Sequence, residues 1–150
     1  MAGDLQFCTF YLQDLFFGIE VLQVQEVIRA QAMTRVPLAH SAISGLINLR
    51  GQIVEAVDLR SRLGLPPRAG DVMPMNVIVR TDDGPVSLLA DEIGDVVSVE
   101  DSVFEAPPET LSENARELIS GVYKLSDRLL LVLDTARVLQ LQGVATGDGK

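Results

Sequence analysis

Few side chains in this chain are placed to do covalent or acid–base chemistry. Nucleophilic catalysis needs a serine or cysteine beside an orienting base, most often histidine. The single histidine, His40, lies in a loop near Pro37 and reads as a surface residue, with no serine or cysteine motif accompanying it. The single cysteine, Cys8, sits in an apolar stretch and reads as a buried thiol acting as a small hydrophobe. One histidine and one cysteine do not make a zinc site without several carboxylates. Neither a Gly-x-Gly-x-x-Gly string nor a phosphate loop occurs. Asp82-Asp83-Gly84 begins like a calcium loop but lacks the ligands that follow, so it reads as a hairpin turn. Asp91-Glu92 and Glu100-Asp101 pair carboxylates as acid–base sites do, yet they fall at strand ends of an acidic chain, where solvated charges are expected. The sequence therefore predicts no catalytic residue, no metal site and no cofactor.

Arg50 is different in kind. It stands with Gly51 between two apolar runs, Leu46-Ile47 with Leu49 and Ile53-Val54 with Ala56-Val57. Each run has the length of a strand, and Gly51 accepts the positive φ that a two-residue hairpin turn demands. The stretch 45–58 thus predicts a tight hairpin with Arg50 at its tip. Asp58 is placed to cap a short helix over 59–63, ended by Gly64 and Pro66-Pro67.

An internal repeat separates scaffold from surface. Ile43-Ser44-Gly45 returns as Ile119-Ser120-Gly121, and in that register Asp58 matches Asp134. A second register pairs Val24 with Ile93, Glu26 with Asp95, Val27 with Val96 and Ile28 with Val97. Gly45 with Gly121 and Asp58 with Asp134 read as a backbone requirement and a helix cap. Arg50-Gly51 is replaced by Ser126-Asp127, so the turn does not need an arginine, and Arg50 becomes a candidate for recognition.

Those residues need strands to hold them. The stretches 5–12 and 16–20 make a hairpin through Gln13-Asp14, with apolar residues on both faces. Over 21–29, Val21, Val24, Val27 and Ile28 fit a helical stripe, but a helical turn at 21–23 followed by a strand from 24 is the favoured reading. A short strand is expected at 34–37 and a helical turn at 40–44, before the Arg50 hairpin. The second half repeats the order with strands at 76–80, 86–90 and 96–99. A proline-containing loop follows at 104–113, then a helix near 112–118 capped by Ser112. A hairpin turning at Ser126-Asp127 and a helix at 135–141 close the half. Short strands at this spacing predict all-β barrels. The first repeat covers about 5–66, a linker about 66–75, the second repeat about 76–141, and the tail 143–150 is expected to be disordered.

Composition agrees. Hydrophobic residues make up 47% of the 150 and charged ones 22%, which suits a globular chain. A net charge of -9 argues against nucleic acid and anionic lipid as partners. No apolar run approaches a membrane span and no signal-peptide core opens the chain, so the expected place is the cytoplasm.

The string from Gly45 to Val54 around Asn48-Leu49-Arg50-Gly51, followed by Val57-Asp58-Leu59-Arg60, resembles the signature of the CheW family, adaptors of bacterial chemotaxis. The resemblance extends through Phe17-Gly18-Ile19-Glu20, the segment 24–28, Thr34-Arg35-Val36-Pro37 and the strand before Asp134, covering about residues 5–141. It implies two SH3-like five-stranded barrels packed together, and no catalysis. The implied partners are a CheA-type histidine kinase, through its regulatory domain, and the cytoplasmic tip of a methyl-accepting chemoreceptor, in arrays at the membrane. It places Val24, Glu26, Val27, Ile28 and Arg50 at the receptor groove between the barrels. It places Gly45, Leu46, Asn48 and Gly51 near kinase or array contacts. An amphipathic helical hairpin docked by apolar anchors with charges fixing register fits such a groove. Glu55 departs from the family's usual proline and is expected to be solvent-exposed at an edge or a subunit contact. It leaves open whether the output is the usual motility array or a divergent pathway. An SH3-type module for proline-rich peptides would want an exposed aromatic groove, which 5% aromatics and no tryptophan do not favour.

Overall fold

Gln6–Leu12 (β1) and Leu15–Glu20 (β2) fold back on each other antiparallel, from Phe7 opposite Glu20 to Leu12 opposite Leu15. They open a computed structural model that describes residues 5–29, 31–35, 42–70, 73–99 and 103–140; the expectations for 36–37, His40, 100–101 and the tail lie outside these. Both faces of the hairpin are covered, as its apolar residues on both faces require: Phe10, Leu12, Phe17 and Ile19 enter one cluster, Phe7 and Phe16 another. A 3-10 turn, Val21–Gln23, leads into β3, Val24–Ile28. Of the strand expected at 34–37, the described residues 34–35 contribute a bridge, Thr34 to Leu46. β4 (Ile43–Leu49) takes in Ile43 and Ser44, which the sequence suggested as a helical turn. Ile43 finds Val57 across the hairpin, and a register shift before Gly45 lets the pairing continue. β5 (Gln52–Asp58) runs into α1 (Leu59–Leu63), where the Asp58 side chain accepts the Arg60 amide at 3.2 Å.

The second half supplies β6 (Met75–Val79), β7 (Val86–Ala90), β8 (Glu92–Ser98), β9 (Val103–Glu105), α2 (Glu113–Glu117), β10 (Ile119–Lys124), β11 (Leu129–Leu133) and α3 (Thr135–Val138). Ser112 and Asp134 cap α2 and α3 as their side chains predict. β8 starts at Glu92, earlier than expected, because its first residues pair with Tyr11 and Phe10 on β1. β9 lies inside the stretch expected as a loop, pairing Phe104 with Tyr123 and Glu105 with Val122.

Among the described residues the strands make two sheets. Sheet A has the order β8-β1-β2-β11-β10-β9 and sheet B the order β3-β6-β7-β5-β4. The fold is all-β, with two subdomains and a few short helices. The sheets cut across the sequence repeat. The first hairpin, β1–β2, pairs with β8 and with β11, the latter in parallel. The β6–β7 hairpin pairs in turn with β3 and, in parallel, with β5. Matched through the repeat, both sheets have one strand order. β9 is the addition in sheet A, and the Thr34 bridge marks its place in sheet B. Each half thus lends its leading hairpin to the other half's sheet.

The expected closed five-stranded barrels are instead open sheets of six and five strands. Register shifts interrupt β1–β8, β3–β6, β4–β5 and β10–β11. Such irregularities bend strands and turn short edges out of line for continued pairing. The largest apolar cluster draws on both sheets and all three helices: Phe17 and Leu131 from A, Val77 and Leu88 from B, Leu63, Ala115 and Val138 from the helices. Two smaller clusters belong to one sheet each, around Ile47, Val54 and Leu89 in B and around Phe7, Val99 and Leu130 in A. The paired glycines explain themselves. A Cβ on Gly45 would lie 2.7 Å from the Thr34 carbonyl oxygen, and one on Gly121 would lie 2.9 Å from the Glu105 carbonyl oxygen and inside the Phe104 ring. In both halves a crossing segment rests directly on the glycine's backbone.

Candidate functional site

β3 and β4 are the two outer strands of sheet B, yet Arg50, at the tip of the β4–β5 hairpin, donates a hydrogen bond and ion pair to Glu26 on β3. The sheet is therefore rolled far enough for its two ends to meet. That hydrogen bond, with a lesser one from Gln25, holds the Glu26 carboxyl below its ordinary range. The tip itself is a turn with Arg50 at φ 52° and Gly51 at φ 89°. Asn48 Oδ1 accepts the Gly51 amide at 2.8 Å and fixes it. Glycine adopts such angles freely, arginine does not.

Of the residues expected at a receptor groove, Glu26 and Arg50 are in contact. Val27, the next residue on β3, points to the other face of the strand and is 36% exposed. Val24 and Ile28 are half-buried: Val24 packs on the shared core and Ile28 on the sheet B cluster. Of those expected near kinase contacts, Gly45 is buried beneath Thr34, Leu46 is half-buried, and Asn48 and Gly51 build the exposed turn.

Sequence reasoning overlooked Ile53, which stands 62% exposed on β5 opposite Asn48, and Val96 on β8, 57% exposed. The repeat could have found both: Val96 is the mate of Val27, and Ile53 is the mate of Leu129, which is also exposed. Glu55 is exposed as expected. Residues 52–55 of β5 pair only with β4, because β7 joins β5 from Ala56 onward, so this stretch of an inner strand has an open side.

Of the carboxylates offered as an acid–base alternative, Asp91 has another use. Asp91 is bound by Arg60, Arg68 and the Gln13 amide. Burial pushes its carboxyl up, but those hydrogen bonds outweigh it and leave the carboxyl below its ordinary range, the opposite of what a general acid needs. Among the described residues no group of three or more His, Cys, Asp and Glu is placed to hold a metal ion, and no helix is long and apolar enough to cross a membrane.

A family model described as the CheW-like domain matches residues 6–143. The chain belongs to the CheW-like domain family. The chemotaxis protein CheW of Bacillus subtilis (strain 168) is 35% identical over 123 residues, covering 82% of this chain and 79% of that protein. The CheW of Helicobacter pylori is 29% identical over 136 residues, covering 91% and 82%. In fold, the chain is similar to the crystal structure of the scaffolding protein TtCheW from Thermoanaerobacter tengcongensis, with a TM-score of 0.82 and 24% identity over 93% of this chain and 95% of that one. Membership of the CheW-like domain family makes this chain a chemotaxis adaptor and not an enzyme.

Proposed function

We propose that this chain couples the cytoplasmic tip of a methyl-accepting chemoreceptor to the regulatory domain of a CheA-type histidine kinase. It works in the cytoplasm, within arrays assembled at the membrane. The observation that carries the reading is the rim of sheet B: the Glu26–Arg50 charge pair on one face of β3, with Arg50 exposed at the hairpin tip, and the exposed Val27 on the other face of the same edge strand. A helical receptor tip presents apolar residues at helical spacing with charges between them, and such a rim offers an anchor and a register mark. Gly45, Leu46, Asn48 and Gly51 shape the hairpin that would face the kinase or a neighbour in the array. The names of the relatives support the pathway, and the family match over residues 6–143 supports an adaptor domain.

Titration of the purified protein with a receptor-tip fragment and, separately, with a kinase regulatory domain tests this. Val27→Asp and Arg50→Ala are expected to weaken receptor binding by about tenfold or more, as loss of a central anchor does, with circular dichroism unchanged and kinase binding retained. Wild-type protein that binds neither partner would refute the reading.

A further inference from the structure

The repeat makes the chain turn from one sheet into the other twice, and the two corners differ. In the first half β2 passes into β3 through Val21–Gln23, with Leu22 84% exposed. In the second half β7 passes into β8 through one residue, Asp91, the repeat mate of Leu22, and its side chain is only 11% exposed.

Three elements meet on the Asp91 carboxylate. Arg60 of α1 donates Nε to Oδ1 at 3.0 Å and Nη2 to Oδ2 at 2.5 Å. The Gln13 amide, in the β1–β2 turn, donates at 2.8 Å. Arg68, in the segment that leaves α1, donates Nε at 3.1 Å, and its Nη1 lies 3.5 Å from Asp58 Oδ1. Arg60 also donates Nη1 to the Pro66 carbonyl at 2.8 Å. The facing charges are therefore Arg60, Arg68 and Asp58, and a fork geometry suits this many donors on one carboxylate.

Segment 65–70 has no strand or helix of its own. Leu65 packs on the shared core, and Pro66 and Arg68 are tied to the cluster just described. The seat is incomplete, because Arg68 Nη2 is buried without a hydrogen-bond partner. An unmet buried donor disfavours the seated form. Both sheets are built without these residues. We propose that residues 65–70 are a strap latched by the Asp91 carboxylate, which lifts as a unit while both sheets stay folded.

The Arg68–Ala69 bond reports on the latch, since trypsin accepts Arg68 only after its side chain has left Asp91. Cleavage follows the population of the open form when opening and closing are fast. Asp91→Asn is expected to speed cleavage there by about tenfold, with cleavage after Lys124, inside β10, unchanged. The exchanged hairpins should keep the nicked chain in one piece on a native gel. Arg68→Lys retains the cleavage site but not the fork, keeps Asp91 and Arg60 together, and should give the same pattern even if Asp91→Asn does not fold. Equal acceleration at Arg68 and Lys124 would mean global destabilisation and overturn the proposal. Unchanged cleavage at Arg68 in both variants would overturn it too, as would fragments that separate on nicking.

Discussion

The β4–β5 and β10–β11 hairpins are one construction with two different tips. Each carries a glycine as the third residue of its first strand, with a crossing segment lying on it, and each ends on an aspartate that starts a helix. At the first tip Arg50 adopts a positive φ and reaches across to Glu26, keeping 66% of its side chain exposed. The second tip turns through Ser126 and Asp127, with the Leu125 amide bonded to the Arg128 carbonyl at 2.8 Å. Its arginine, Arg128, folds back onto the β1–β2 hairpin, 4.7 Å from the Phe16 ring centre and 2.5 Å from the Tyr11 hydroxyl. What the hairpins share makes the frame, and what they do not share faces outward. A left-handed arginine at a turn that glycine or asparagine would occupy with less strain indicates a use for its side chain.

Substitution at the shared glycines should break this contrast most visibly. Gly45→Ala and Gly121→Ala are each expected to cost about 1–3 kcal/mol in urea unfolding, the range for overpacking. Gly45 should cost somewhat more: its nearest obstacle is a backbone carbonyl at 2.7 Å, while at Gly121 the exposed Phe104 ring can swing aside and the Glu105 carbonyl left behind is a little farther, at 2.9 Å. Similar binding defects without loss of stability would mean the glycines are recognition residues after all. Next come the caps. Asp58→Ala and Asp134→Ala should each lose about 1 kcal/mol, Asp58 the more because it also faces Arg68. The smallest effect belongs to the unshared position. Arg50→Asn should raise the unfolding midpoint slightly by relieving the turn, and NMR titration should show the Glu26 carboxyl climbing back toward its ordinary value. The sign follows from its depressed value: the pair stabilises above the ordinary glutamate range and is lost as pH falls through the folded value. A fall in the midpoint would show that Arg50 belongs to the frame.

Local chemistry made much of this legible. Asp58, Gly64, Ser112 and Asp134 announce their helix ends, and Gln13-Asp14, Arg50-Gly51 and Ser126-Asp127 announce their turns, because caps and turns depend on a few adjacent residues. The exchange of hairpins was not legible. A contiguous pair of units and an exchanged pair use the same strands and the same buried faces, so periodicity cannot separate them. β9 was hidden by the prolines that follow it, Pro107 and Pro108, and by depending on Gly121, many residues away. The Glu26–Arg50 contact was hidden for a like reason: each residue was picked out alone, and only the rolling of sheet B joins them. Asp91 was dismissed as a solvated charge because its three donors come from distant segments.

The exchanged hairpins also set a timetable for synthesis. β1–β2 leaves the ribosome well before its neighbours β8 and β11, which extend to Leu133, so Phe7, Phe10, Phe17 and Ile19 remain uncovered until Leu133 has been made. Pairings this remote along the chain form late and leave greasy surface open to misassociation meanwhile. The nascent protein should therefore lean on chaperones more than its modest length suggests.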